Sequence, residues 1–474
     1  MVEKKAGPDT LSAAYVHMQP LWRKIDAVLG GTETMRASGE VYLPRHNRES
    51  HDAYEERLNR TVLVNTTDQT LSGWVGRPFG KPIQFNEDIP TSLEPLLEDA
   101  DQQGSDLDVF CRNWFKNGLA KGFSHVMVDF PSLRHDADTP RTLEDDRNEK
   151  LRPYFVQVPP ENVIAAHAEI VDGVETLTHL RVFEQEIIRV GFEETVVSRI
   201  RVYEPGHVTL YEERKIKNQN KVEWVIVDEY DYDLSYIPLV TFYSQREGFM
   251  LSKPPLLDLV NLNIGHWQSQ SDQTAVLTVA RFPMLASSGV LDDESEIVVG
   301  PNQWLSTREP QGKVYYVEHT GKAINSGRLD LLDLEEKMAK YGAEFLTKKP
   351  GRQTATARAL DSAEAVSPLQ DMTHRFIDAV NLALRYAADW VGEESGGTVD
   401  LDTDFGLSGG DAGALTALNE ARAGRDISRE AYLLELQRHG VLDRAFDPAK
   451  DVGLLTNEVA LLGLSTEPLD DEDE

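Results

Sequence analysis

The sequence is poor in cysteine and in long apolar runs. Its 474 residues contain one cysteine, Cys111, which excludes an intrachain disulfide and fits a reducing compartment. No run of about 18 apolar residues occurs, so we expect no membrane-spanning helix. The first fifteen residues, MVEKKAGPDTLSAAY, lack the apolar core of a signal peptide. We therefore expect the protein to stay where it is made.

Positive charge is also scarce. The chain has 48 Lys and Arg against 80 Asp and Glu, a net charge of −32. Acidic clusters lie at residues 94–108, 292–296 and 470–474. A general nucleic-acid binder gains affinity by neutralising phosphates, so this surface should repel DNA over most of its area. The alternative is that the acidic residues serve solubility alone.

Motifs for phosphate, metal or cofactor binding are incomplete. The segment GRPFGKP at residues 76–82 has three residues between its glycines instead of four, and Pro82 replaces the magnesium-binding Ser or Thr of a phosphate-binding loop. Residues 404–406 spell the kinase motif DFG, but no HRD loop precedes them. The 12 histidines are scattered, without an HExxH pattern. We expect no metal and no cofactor.

One possible nucleophile motif remains, GLSGG at residues 406–410. It matches the G-x-S-x-G elbow of serine hydrolases through Gly406, Ser408 and Gly410, yet only His439 follows it, and no run of β-α units precedes it. The competing interpretation is that Ser408 or Asp411 caps a helix starting near residue 412. A serine hydrolase therefore stays as an alternative to the prediction that the chain is not an enzyme.

The order of predicted elements indicates an α+β fold. Helices are predicted at residues 11–29, 52–74 and 106–121. The run FSHVMVDFP (123–131) predicts a buried strand. Between residues 154 and 243, six strand-like runs separated by turn signals predict an antiparallel meander; they are YFVQV, LTHLRVF, TVVSRIRVYE, HVTLYEE, VEWVIVDEY and IPLVTFY.

A long helix is predicted at residues 256–282, which contain no proline, after prolines at its start. A short β insert follows, with the runs MLASSGVL, EIVVGPNQWLS and KVYYVEH. A second helix begins near Arg328, and the pattern Ser367-Pro368-Leu369-Gln370 predicts the start of a third. The second helix carries a 3-4 apolar seam typical of helix contacts, formed by Leu331, Leu334, Met338, Tyr341 and Phe345.

The first long helix poses a packing problem, because its stretch around NIGHWQSQSDQT (263–274) is polar or small on nearly every face. Small and amide side chains suit close packing against identical helices in a ring, so Trp267 and the seam of the second helix are predicted to contact another copy of the chain. The alternative is an ordinary inter-domain helix. We expect His266 to hydrogen-bond between helices rather than to bind a metal.

Several segments, in order, resemble tailed-phage portal proteins, in particular a subgroup long filed as a domain of unknown function. They are YLPRHNRESHDAYEERLNRTVLVN (42–65), GWVGRPFGKP (73–82), HVMVDFP (125–131), RPYFVQVPPENVI (152–164), SKPPLLDLVNLNIGHWQSQSDQTAVLTVARFPML (252–285), SGRLDLLDLEEKMAKYGAEFL (326–346) and ARAGRDISREAYLLELQRHGV (421–441). None of these segments is catalytic, so the resemblance depends on their order along most of the chain.

The resemblance implies a portal fold with named parts. A mixed α/β wing would span residues 1–250, and two stem helices (251–282 and 327–346) would bracket a small β clip (283–326). A tunnel loop and a wing helix would follow at 347–392. A helical crown with the acidic tail would occupy 393–474.

The resemblance also implies a function and partners. Such proteins form homododecameric rings at one capsid vertex of the virion, are assembled in the host cytoplasm, and form the channel for packaging and ejection of double-stranded DNA without sequence specificity. The implied partners are the terminase motor, the major capsid protein with any scaffold, and the head-tail adaptor, with no membrane. A mostly acidic wall would keep DNA mobile. Another capsid or neck component, such as an adaptor, is the alternative, although adaptors are shorter chains.

Two sets of residues are predicted to act in these parts. Trp304, Tyr315 and Tyr316 are large aromatic residues in a short clip, so we expect some to contact neighbouring subunits or docked proteins; alternatively they fill a small clip core. The loop KKPGRQTA (348–355) places three positive charges in an acidic chain, and the resemblance puts it in the channel facing DNA; the three residues are Lys348, Lys349 and Arg352. The alternative is that the lysines complement a helix dipole.

Overall fold

The structure is a computed structural model. It describes residues 7–86, 88–131, 151–215, 222–281, 284–288, 310–317, 321–343, 355–403, 412–438, 441–442, 446 and 450–451. The described residues form a mixed α and β fold, as the sequence predicts. The chain divides into two compact units, one comprising 1–350 with 375–401 and the other 351–374 with 402–474.

The described residues form eleven α-helices, six of which lie in the N-terminal part of the chain. They are α1 Ala13–Leu29, α2 Gly31–Ser38, α3 His51–Arg60, α4 Thr66–Val75, α5 Glu94–Glu98, α6 Leu107–Lys121, α7 Leu257–Ala280, α8 Lys322–Met338, α9 Ala355–Val391, α10 Ala412–Ala423 and α11 Arg429–Arg438. Side-chain N-caps define several starts, because an oxygen of Ser12, Ser50, Asn65 or Asp106 accepts a backbone N–H of the first turn.

The described strands lie mostly between α6 and α7. They are β1 Gln84–Phe85, β2 Phe123–Asp129, β3 Tyr154–Val158, β4 Val163–Val171, β5 Val174–Val190, β6 Glu193–Glu204, β7 His207–Lys215, β8 Val222–Asp231, β9 Leu239–Tyr243, β10 Arg246–Gly248, β11 Leu251–Ser252, β12 Met284–Ser288, β13 Lys313–Val317 and β14 Val399–Asp400.

The predicted meander is present but shorter than expected. Strands β4 to β8 form a five-stranded antiparallel sheet in chain order. The first and last predicted runs leave it: β3 and β9 pair with β2 on either side, in a three-stranded antiparallel sheet. The reason is burial. Strand β2 is buried along six of its seven residues, so it needs hydrogen-bonding partners on both edges inside the core.

One core region of the first unit is aromatic and surrounds Phe376. Phe376 of α9 has no solvent exposure. Its ring centroid lies 5.0 Å from those of Phe115 and Phe242, 5.1 Å from Trp114 and 6.2 Å from Phe79. These rings join α6, β9 and α9 through edge-to-face and tilted contacts, which aromatic quadrupoles favour.

The three long helices differ from prediction at their ends. Helix α7 lies within the predicted range. Helix α8 begins at Lys322, six residues before the predicted start, and is followed by a π-helical turn at Ala339–Ala343.

The third helix, α9, begins at Ala355, so the capping-box prediction at Ser367 is wrong. Pro368 lies inside the helix. The preceding segment ATARALDSAEAVS is rich in alanine and other good helix formers, and a proline in a helix interior removes one backbone hydrogen bond without always ending the helix. Residues 355–374 belong to the second unit and 375–391 to the first.

The second unit contains the helical pair α10 and α11. The turn predicted at residues 423–426 joins them, with Arg425 at φ 63°. The Tyr432 hydroxyl donates to Asn419 Oδ1 at 2.6 Å, which ties α11 to α10. Arg429 pairs with Asp451 at 2.5 Å. In the described part of the chain, no helix is both long and apolar enough to cross a bilayer.

Candidate functional site

The candidate site is the helix–hairpin–helix segment made of α7, β12, β13 and α8. Helix α7 has 24 residues and is therefore about 36 Å long. It begins just after Pro254 and Pro255, which a first helical turn tolerates. The polar side chains of α7, for which the sequence identified no partner within the subunit, make contacts on both sides of the helix.

A buried amide anchors α7 to the N-terminal helices. Asn263 has no solvent exposure. Its Oδ1 accepts hydrogen bonds from the backbone N–H of Thr67 at 3.2 Å and from the Thr67 hydroxyl at 3.0 Å, and its Nδ2 donates to the carbonyl of Val64 at 2.8 Å. Each polar atom of this side chain is bonded, so its burial does not leave an unpaired group.

Two further contacts extend this anchor in both directions along α7. Lys24 of α1 donates to Asn261 Oδ1 at 3.1 Å. Gln268 donates through Nε2 to the carbonyl of Tyr42 at 2.9 Å. These bonds lie two residues before and five residues after Asn263. They therefore fix the rotation and the axial position of α7 against the N-terminal segment.

An ion-pair cluster centred on Arg57 completes this side. The side chains of Arg57 and Glu49 are 5% and 9% exposed, and Arg57 donates to both Glu49 carboxylate oxygens at 2.8 Å. It also donates to the carbonyl of Pro44 at 3.0 Å and to Ser271 Oγ of α7 at 3.2 Å. Asp272 of α7 lies 3.7 Å away. The guanidinium thus joins α3, the segment before it and α7.

The cluster has a definite charge state. Hydrogen bonds from Arg57 lower the pKa of the Glu49 carboxyl to about 2, and the backbone N–H of His46 contributes in the same direction. The imidazole Nε2 of His46 lies 3.0 Å from Asp272 Oδ1. Glu49 is therefore ionised at neutral pH, and the Arg57–Glu49 pair is a bidentate charge-assisted contact.

The opposite face of α7 contacts α8. Ser269 donates to Asp330 at 2.9 Å, and Gln273 donates to the carbonyl of Ile324 at 3.0 Å. The buried imidazole of His266 lies 3.4 Å from Glu335, an inter-helix position that agrees with the prediction for it. The Tyr341 hydroxyl donates to Asp258 at 2.8 Å.

A glycine allows this close approach. A Cβ atom at Gly327 would lie 2.1 Å from Oε1 of Gln273. The flexible end of the glutamine side chain would have to shift to admit a larger residue at position 327.

The predicted subunit contacts need correction. Trp267 is 0% exposed, Met338 1% and Leu331 8% within the single chain. Side chains this deeply buried have almost no surface for a contact with a second copy, so the single chain does not support the contacts predicted for Trp267, Met338 and Leu331. Trp267→Asp should consequently unfold the subunit rather than dissociate an assembly. Leu334 is half-buried, and a contact by it stays a prediction.

The exposed apolar residues of α8 are different ones. Leu329 is 55% exposed and Leu332 47% exposed. They are three residues apart, so they share one face of the helix. Of the predicted seam, Leu331 and Met338 are buried, Leu334 is half-buried and Tyr341 is 51% exposed. The 3-4 periodicity could not tell which apolar stripe the subunit itself covers.

The β hairpin between the helices is described in part. Strands β12 and β13 pair antiparallel, from Met284 opposite Val317 to Ser288 opposite Lys313. Tyr315 is 49% exposed. Tyr316 lies in β13 opposite Leu285. Trp304 lies outside the described residues, and the role predicted for these aromatics stays a prediction.

Other predicted residues also fall outside the described part. These are the loop residues Lys348, Lys349 and Arg352, the GLSGG segment with Ser408, the helix-capping alternative Asp411, His439, Phe345, and the acidic tail at 470–474. Among the residues that the structure does describe, no group of three or more His, Cys, Asp or Glu side chains could hold a metal ion.

The Arg57–Glu49 cluster and the Asn263 anchor are contacts that sequence reasoning missed. Glu49 precedes the N-cap Ser50 of α3, so its pairing with Arg57, eight residues later, does not follow the helical i,i+4 rule. The partners of Asn263 lie nearly 200 residues earlier in the chain. The sequence signal for these contacts was the polar stripe on the proline-free helix α7, and that stripe did not identify the residues that bind it.

A family described as a domain of unknown function (DUF4055) matches residues 255–391, which include α7, the hairpin, α8 and α9. No curated protein matches.

Three solved structures with a similar chain come from gene transfer agent (GTA) particles. They are the neck of a native GTA particle computed with C12 symmetry (10% identity, 78% of this chain and 89% of that chain, TM-score 0.41), the neck of an empty GTA particle computed with C6 symmetry (12%, 92% and 99%, 0.40) and the virion of a native GTA particle (12%, 91% and 99%, 0.38). At these TM-scores the likenesses carry no functional conclusion.

Proposed function

We propose that the chain is a portal-type subunit, which assembles into a closed ring at one capsid vertex and forms a channel for double-stranded DNA. The observation that carries the proposal is the segment 257–338, in which two helices bracket an antiparallel β pair and pack along each other. This is the stem–clip–stem order that the portal resemblance implies.

The polar contacts of α7 give this segment a mechanical role. Bonds from Lys24, Arg57 and Thr67 hold one side of α7, and α8 holds the other. Directional hydrogen bonds hold a helix in one register, whereas apolar contacts tolerate sliding. In a ring, each stem would then keep its position relative to its wing while DNA moves past.

The ring contact that we propose uses the exposed face of α8, with Leu329 and Leu332. Apolar side chains on an exposed helix face gain free energy when a neighbour covers them. The net charge of −32 per chain opposes assembly by like-charge repulsion, and buried apolar contacts would offset that cost. The acidic composition would also keep DNA from binding tightly to the wall.

The proposed channel loop and the proposed partners lie outside the residues that the structure describes. Lys348, Lys349 and Arg352 would give a ring of about 12 copies roughly three dozen positive charges at one level, enough to centre a duplex without reading its sequence. Terminase, capsid protein and head-tail adaptor would dock on the ring. The virion is the proposed location.

The test is the assembly state of the purified full chain, measured by mass photometry and negative-stain microscopy. We expect closed rings of about 12 copies with a central channel. Monomers at all salt and protein concentrations would refute the ring. A ring without a channel would favour another capsid or neck component over a portal.

A double variant tests the contact. Leu329→Asp with Leu332→Asp should shift the protein towards monomers while its circular dichroism stays unchanged, because both side chains are exposed in the subunit. The matched control is Val16→Asp on α1, a helical residue that is 56% exposed, which should leave the rings intact. Intact rings in the double variant would remove this face from the contact.

A further inference from the structure

A cavity of about 190 Å³ lies in the first unit, at the end of β2. Strands β6, β7 and β8 and the C-terminal part of α9 also border it. Five aromatic residues contribute to its lining, namely Phe130, Tyr203, Tyr230, Tyr232 and Trp390. Neither the helix–hairpin–helix segment nor the proposed channel uses this cavity.

The aromatic rings form a connected wall around Trp390. The ring centroid of Phe130 lies 5.7 Å from that of Trp390 with an interplanar angle of 21°, and the Tyr232 centroid lies 6.0 Å away at 41°. Trp390 is half-buried near the end of α9. The three rings therefore come from three separate elements that meet at the cavity.

The polar atoms of Trp390, Tyr232 and Tyr230 have hydrogen-bond partners. Trp390 donates its indole N–H to the carbonyl of Val128 at 3.0 Å, and the Tyr232 hydroxyl donates to the carbonyl of Glu204 at 2.9 Å. The Tyr230 hydroxyl accepts from Arg201 at 2.9 Å. The indole N–H of Trp390 and the hydroxyl proton of Tyr232 are therefore already donated to backbone carbonyls and are not available to a ligand.

Three carboxylates line the same cavity, Asp129, Asp231 and Asp233. Asp129 is half-buried and accepts from the Phe130 N–H at 2.8 Å and from the Tyr154 hydroxyl at 3.2 Å. Both of its donors are neutral. Asp231 and Asp233 are exposed at the rim.

The two basic side chains near the cavity, Arg201 and His207, each contact a carboxylate. Arg201 forms a bidentate contact with Glu184 at 2.9 and 3.0 Å, and His207 contacts Asp231 at 2.6 Å. The four carboxylates of Asp129, Glu184, Asp231 and Asp233 outnumber Arg201 and His207, even when the imidazole is protonated. Carboxylates therefore predominate among these charged groups, and aromatic residues contribute to the cavity lining.

We propose that this cavity binds an organic cation, specifically an N-alkylated ammonium group. Aromatic faces attract a cation through their quadrupole, and quaternary ammonium groups are bound in this way by cages of aromatic side chains. The carboxylates add attraction at longer range, and an anion would be repelled. The volume suits a trimethylammonium head rather than a drug-sized molecule.

The test measures binding of choline to the full chain by isothermal titration calorimetry, with 3,3-dimethyl-1-butanol as the neutral molecule of the same shape. Choline should bind about tenfold more tightly than the alcohol, since only the cation gains from the rings and carboxylates. Equal affinity for the two would show an ordinary apolar cavity and overturn the proposal. Absence of choline binding at millimolar concentration would overturn it as well.

Two variants locate the site. Asp233→Asn changes an exposed rim carboxylate and should weaken choline binding several-fold without altering circular dichroism. Phe130→Leu keeps an apolar wall but removes a π surface, and it should reduce the preference for choline over the alcohol. The matched control, Asp333→Asn, changes an exposed carboxylate on α8 and should leave binding unchanged. If Asp233→Asn and Phe130→Leu both bind like the unmodified chain, choline binds elsewhere and the assignment fails.

Discussion

The aromatic core around Phe376 and the polar contact of α7 both bury a helix, but by opposite means. Phe376 is surrounded by other aromatic rings in edge-to-face and tilted contacts, and their main contribution is the burial of apolar surface. Helix α7 is held by Asn263, Arg57 and a set of amide and hydroxyl bonds. The comparison indicates that the core supplies most of the stability, whereas the polar contact defines where α7 sits.

The largest effect is expected in the aromatic core. Phe376→Ala should lower the free energy of unfolding of the first unit by about 4 kcal/mol, because it removes a fully buried ring and leaves a cavity. The measurement is urea denaturation followed by circular dichroism. Phe376→Leu is the matched control and should cost less than about 1.5 kcal/mol. A loss below about 1 kcal/mol for the alanine variant would contradict the central place given to this ring.

A smaller loss is expected at the ion pair of the polar contact. Arg57→Met should cost about 3 kcal/mol, because Glu49 would stay buried without its partner. Adding Glu49→Gln should recover part of the loss, since the unpaired charge is then gone. A double-mutant cycle in the same denaturation assay measures the coupling. If the double variant is as unstable as Arg57→Met, the loss comes from packing and not from the charge.

The smallest effect is the pH dependence of the same pair. The pKa of Glu49 is lowered to about 2 in the folded chain, against roughly 4.3 in an unfolded chain. Its contribution is therefore fully present above about pH 4.3 and is lost as the pH falls towards 2; at pH 3 the loss is about 1.5 kcal/mol relative to pH 6. Denaturation curves at pH 6, 4 and 3 measure it.

The control for this measurement is the Glu49→Gln variant, because other carboxylates titrate in the same pH range and contribute to both profiles. The stability of the unmodified chain should fall more steeply between pH 4 and pH 3 than that of the glutamine variant. Parallel pH profiles for the two proteins would mean that Glu49 has no lowered pKa.

Much of the fold follows from local pattern. The absence of proline between residues 256 and 282 predicted α7 to within two residues at either end. The alternation of apolar residues and turn signals predicted six of the seven described strands between 154 and 243, and missed β4. Such features depend on neighbours a few positions away, so a single sequence contains them.

The pairing between segments distant in the chain could not be predicted from the sequence in the same way. The sequence did not show that β3 and β9 leave the meander to flank β2, because every strand of that region alternates in the same way. The capping box at Ser367 pointed to a helix start, yet helix propensity upstream extended α9 through Pro368. A short capping motif does not show whether the helix propensity of the preceding residues is strong enough to extend the helix through it.

By itself, the sequence determined the acidic composition, the positions of the long helix α7 and of most strands of the antiparallel region, and the polar stripe on α7. Only the tertiary structure decided what that stripe contacts. Asn263, Arg57 and Gln268 have partners in segments that local periodicity does not connect, and Trp267 proved to be buried in its own subunit. The physical reason is that a polar side chain is stable in the interior only where distant backbone and side-chain groups complete its hydrogen bonds.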